Sequence, residues 1–100
     1  MNSTITSTVS ADKTVRLVNR VVAQMPWPPC ISGVEVVKEK NGLVWAEFQR
    51  AYDLEGNELA QYRDYVDGSI EEFGRFGLVA TRGPRNMGNE TLRLESKSDY

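Results

Sequence analysis

The chain has no histidine, one cysteine and no long apolar run among its 100 residues, and each absence narrows what it can do. Without histidine it lacks the commonest general base and the commonest metal ligand. A lone thiol, Cys30, makes neither an internal disulfide nor a thiolate zinc cage within one chain, and it points to a reducing compartment. No stretch approaches the roughly 18 apolar residues of a membrane span. The first ten residues carry no base and no apolar run, unlike a secretory signal. A cytoplasmic location without a membrane partner is therefore expected. Phosphate-cradling glycine patterns and a nucleophile elbow are also missing.

What remains for chemistry is carboxylate. Asp64 and Asp67 lie in an acidic segment, where paired surface acids are ordinarily solvated rather than catalytic. Asp53, Glu55 and Asn57 have a passing likeness to a calcium loop but lack its spacing and its closing glutamate. The sequence thus points away from an enzyme, with no catalytic or metal-ligating set and no cofactor.

One hundred residues make a single small domain, with 1–9 and 97–100 expected to be flexible. The net charge of −2 is near balance, but its distribution is not. Asp53 to Glu72 holds seven acids and one base, Arg63, whereas Phe73 to Leu94 holds four arginines and one acid, Glu90. Such blocks are solvated edges or poles that meet partners of opposite charge.

Ser10 or Asp12 can cap a first helix running to about Met25, with Val15, Val18, Val21, Val22 and Met25 at helical spacing. Pro26 ends it. Pro26-Trp27-Pro28-Pro29-Cys30 is then a stiff extended connector in which Trp27 plugs the end of the core and Cys30 is a small buried side chain.

The stretch from Gly33 to Asp67 predicts a three-stranded antiparallel meander. Asn41-Gly42 is a strong hairpin signal, because a type I′ turn needs positive φ at both central residues. Asp53-Leu54-Glu55-Gly56-Asn57 fits a type I turn closed by a left-handed glycine. These turns would pair Lys38 with Trp45, Val37 with Ala46, Phe48 with Tyr62, Glu47 with Arg63 and Trp45 with Tyr65. One face then carries Val37, Val44, Ala46, Phe48, Ala60, Tyr62 and Val66 and packs on the first helix. The other presents Lys38, Trp45, Glu47, Arg63 and Tyr65, paired aromatics ringed by charge, as in a protein-binding hot spot.

Ser69 and Glu72 suggest a capping box opening a short second helix. Gly77 to Arg82 and Thr91 to Leu94 suggest a terminal hairpin. Between them, Arg82 and Arg85 stand beside glycines and can present donors to an anion. The fold class expected is therefore α+β. The function expected is a non-catalytic protein-binding module that regulates or assembles with a partner. The alternative is a nucleic-acid or phosphoanion binder using the arginine loop, and self-association through the open edge of the 34–40 strand is a third route.

Overall fold

The computed structural model describes residues 2–97, with side chains from Ala11 onward. It is an α+β fold of two successive helix–hairpin units: α1 (Asn2–Gln24), β1 (Ile31–Lys38) and β2 (Val44–Arg50), then α2 (Asn57–Arg75), β3 (Leu78–Arg82) and β4 (Glu90–Ser96). The four strands form one antiparallel sheet in the order β1-β2-β4-β3.

In α1, Ala11, Thr14, Val18 and Val21 recur every three and four residues and are all buried, as one helical stripe requires. Thr14 shares a 2.6 Å hydroxyl hydrogen bond with Ser96 at the end of β4. After the helix, Trp27 folds back. Its Nε1 donates to the Val22 carbonyl at 2.9 Å, satisfying one of the carbonyls that a helix end leaves unpaired. Its ring meets Phe48 edge-on, 5.7 Å between centroids, so Trp27 does close this end of the core. Cys30 is a small buried side chain, as expected, and burial pushes its thiol pKa up.

The first hairpin forms where the sequence predicts it, but one residue out of register. Glu39 donates to Leu43 and accepts from Gly42, and only Gly42, φ 90°, is left-handed. The loop is thus the three-residue kind closed by a left-handed glycine, not the two-residue kind with Asn41 and Gly42 at its centre. Lys38 pairs with Val44 and Val37 with Trp45. Because successive side chains alternate across a strand, this single step reverses the faces of β1 relative to β2. Val37 joins Trp45, and Lys38 crosses to the helical side, where its Nζ meets Asp12 Oδ1 at 2.6 Å.

The expected third strand is instead the first half of α2, and the expected short helix is its second half. Tyr62, Val66, Ser69 and Phe73 are its buried residues, a heptad-like stripe that outruns the brief alternation of Ala60, Tyr62, Asp64 and Val66. Asp53 (φ 52°) and Gly56 (φ 61°) are left-handed as a bulged turn would require, but they turn the chain into a helix rather than a strand. Ser69 is therefore mid-helix, its Oγ donating to the Val66 carbonyl at 2.6 Å, and caps nothing. Gly77, φ 84°, ends the helical run, and the terminal hairpin β3–β4 follows as expected.

Val44, Ala46, Phe48, Leu78, Leu92 and Leu94 point from the sheet into a core shared with Val18, Val21, Tyr62, Val66 and Phe73 of the two helices. Burying a side chain of this size stabilises by roughly 1.5–3 kcal/mol each. Both helices cover this one face. Trp45, Glu47, Thr91, Arg93 and Val79 alternate with the core residues and lie on the other face, over which the loop between β3 and β4 folds.

Candidate functional site

The five residues expected to make one protein-binding face are dispersed. Trp45 and Glu47 remain together on the open face of β2. Lys38 has turned to Asp12, and Arg63 and Tyr65 ride on α2, across the sheet. Trp45 and Tyr65 do not pair: Tyr65 lies 6.3 Å from Trp27, centroid to centroid, and its hydroxyl donates to the Pro26 carbonyl at 3.2 Å. Trp45 is roofed by Gly83, where even a Cβ would run into the indole ring. Its Nε1 is buried and has no hydrogen-bond partner among the described residues. Glu47 accepts from Asn89 Nδ2 at 2.9 Å and from Asn86 Nδ2 at 3.3 Å.

The two arginines expected to greet an anion meet carboxylates of the chain itself. Arg82 holds both Asp67 of α2 and Glu90 of β4, and Arg85 Nε reaches Glu90 Oε2 at 2.7 Å. The Glu90 side chain is only 5% exposed, so the pairs provide the charge that burial of a carboxylate demands. Asp67 and Glu90 outweigh desolvation and raise the Arg82 pKa. What looked like an anion loop is a clamp between α2 and the second hairpin. The acid that answers it was visible in the sequence as the lone Glu90 among four arginines.

Among the described residues no cluster of histidine, cysteine or acid is placed to hold a metal, and no helix is long and apolar enough to cross a membrane. Several clefts remain open among the described residues, and two of them present an exposed aromatic ring, Phe76 in one and Tyr52 in the other. The first is a groove of about 420 Å³ between the end of α1 and the outer side of α2. Val21, Met25, Tyr65 and Phe76 give it an apolar lining, and Asp64 and Glu72 stand at its rim. Phe76 is one of the few large apolar side chains left exposed. The carbonyl end of α1 adds partial negative charge on the same side. The second surface is a cleft of about 630 Å³ where the loops after β2 and before β4 meet, flanked by Tyr52 and Met87.

Sequence reasoning missed the groove because it placed Tyr65 on a strand. Reading 59, 62, 66, 69 and 73 as one stripe would have put Asp64, Tyr65 and Gly68 on its flank. No family model matches the chain, and neither a curated protein nor a solved structure resembles it.

Proposed function

We propose that the chain is a small non-catalytic protein-binding module, and that it docks a basic amphipathic helix of a partner protein in the groove between α1 and α2. The observation that carries this reading is an uncovered apolar strip contributed by two helices, with acids at its edge and no base among its lining residues. A helix laid in such a groove buries its apolar side on Met25, Tyr65 and Phe76, and its lysines or arginines face Asp64 and Glu72. Acids at the rim speed association and select the sign of the partner more than they add affinity. Glu72 already has Arg75 at 3.4 Å, an exposed pair weak enough to exchange for a partner's base. The phosphoanion reading has no comparable support, since Arg82 and Arg85 are held by Glu90.

The test is titration of the full chain with a helical Leu/Lys 15-mer and with its Leu/Glu counterpart, followed by NMR shifts of Tyr65 and Phe76. The basic peptide should bind, and D64K/E72K should weaken it by about tenfold or more, the 1.4 kcal/mol that two rim contacts can supply. Equal binding of the acidic peptide, or indifference to the charge reversal, would remove the basis for this assignment.

A further inference from the structure

Met87 stands where the backbone disfavours it. Asn86 and Asn89 exchange both backbone hydrogen bonds at 2.9 Å, closing a two-residue turn in which Met87 (φ 54°) and Gly88 (φ 86°) are both left-handed. That is the type I′ geometry for which Asn-Gly is preferred, and a long unbranched side chain is a poor occupant of its first position. The side chain gains nothing from the fold in return, being 94% exposed. The turn is nevertheless firmly held. Asn89 Oδ1 accepts from the Arg50 backbone N–H at 3.1 Å, and the amides of Asn86 and Asn89 are anchored on Glu47. The result is an apolar side chain carried clear of the surface on a firmly held turn.

Tyr52, 95% exposed, flanks the same cleft from the loop after β2. Between the two side chains runs Arg50, its guanidinium 3.7 Å from where a Gly88 Cβ would be. Among the described residues Arg50 has no carboxylate within salt-bridge distance, in contrast to Arg82 and Arg85. Tyrosine, methionine and arginine are the residue types enriched where protein interfaces bury their centres, and a turn whose backbone needs no reordering on binding loses less entropy. The exposed Asp53 beside the cleft sets a limit on how much negative charge it accepts.

We propose that this cleft is a second contact site, which takes an acidic segment of a partner protein by seating a carboxylate on Arg50 and an adjacent aromatic or aliphatic side chain against Met87 and Tyr52. With the groove on the helical side, the chain would then bridge a basic and an acidic partner, although the cleft stands without the groove.

The test is selection of displayed random 12-mer peptides on the immobilised full chain. Enriched peptides should carry an acid next to an aromatic or aliphatic residue, and Arg50→Gln or Met87→Asn should each weaken them at least tenfold. Met87→Asn should also melt at a higher temperature than the parent, because asparagine tolerates the left-handed position. The Leu/Lys peptide of the α1/α2 groove should bind both variants unchanged, which separates the two sites. No enrichment of acidic peptides, equal binding by the variants, or a lower melting temperature for Met87→Asn would each overturn the proposal.

Discussion

The Tyr62 hydroxyl donates to the Phe48 carbonyl at 2.7 Å, at the point where β2 ends its run through the core. The same oxygen accepts from the Glu90 backbone N–H at 2.7 Å, so one phenol on α2 joins the two central strands where their own ladder stops. Tyr62→Phe keeps the ring and leaves a buried donor and acceptor unsatisfied. It should lower stability by about 1–3 kcal/mol in urea denaturation. Burial raises the phenol's pKa above its ordinary value near 10. The folded state thus favours the protonated form, and this contribution is complete below about pH 10 and lost as pH rises through the raised value. The alkaline unfolding limb should therefore shrink in Tyr62→Phe. An unchanged urea midpoint would show that the bridge contributes nothing.

Gly83 should tolerate no side chain. Its hypothetical Cβ falls into the Trp45 ring and 2.8 Å from Thr91 Oγ1, and Thr91 Oγ1 is itself fixed by donating to the Pro84 carbonyl at 2.7 Å. Gly83→Ala should destabilise by roughly 1–3 kcal/mol, the range for overfilling a packed site. In a Trp27→Phe background the emission of Trp45 should also shift as the loop lifts. No change in either measurement would mean that the loop does not roof the indole.

Arg82 and Arg85 should behave as structural residues. Arg82→Gln should lower stability by about 1–2 kcal/mol, discounted because its side chain is more than a third exposed. The double change with Arg85→Gln should lower it further, since Glu90 then lies buried with no cation. Oligonucleotide binding should be negligible near physiological salt before and after. Salt-sensitive oligonucleotide binding that the double change abolishes, with stability intact, would restore the anion reading.

Much of the fold was legible in the chain, and the errors have definite causes. The later part of the first helix and its end before Pro26, the terminal hairpin and the Trp27 plug followed from apolar spacing and proline, whereas α1 begins at Asn2 and not at a cap on Ser10 or Asp12. The core face of β2 did too: Val44, Ala46 and Phe48 are buried as expected. The first turn was recognised, but Asn41-Gly42 fits both a two-residue and a three-residue loop, and the strand faces depend on that one residue. Residues 58–67 carry both periods at once, and strand alternation is satisfied by so few residues that it masks the buried stripe of a nineteen-residue helix. The expected neighbourhood of Phe48 and Tyr62 survived this error, because either element brings that phenol to that strand. The charged surfaces were harder to read. Nothing local says that Arg82 will also meet Asp67, since that pairing arises only when α2 docks beside the second hairpin.

The strand order also has a consequence for how the chain assembles. β1 with β2, and β3 with β4, are neighbours in sequence, whereas the central seam joins partners such as Ala46 and Leu92, nearly half the chain apart. Hairpins close in microseconds, and distant pairings are slow because a long loop must be ordered before any contact rewards it. The two hairpins can therefore pair early, and the meeting of β2 with β4 is the step expected to limit folding. Residues 51–56 tether the two halves, so the length of that tether sets how often they collide.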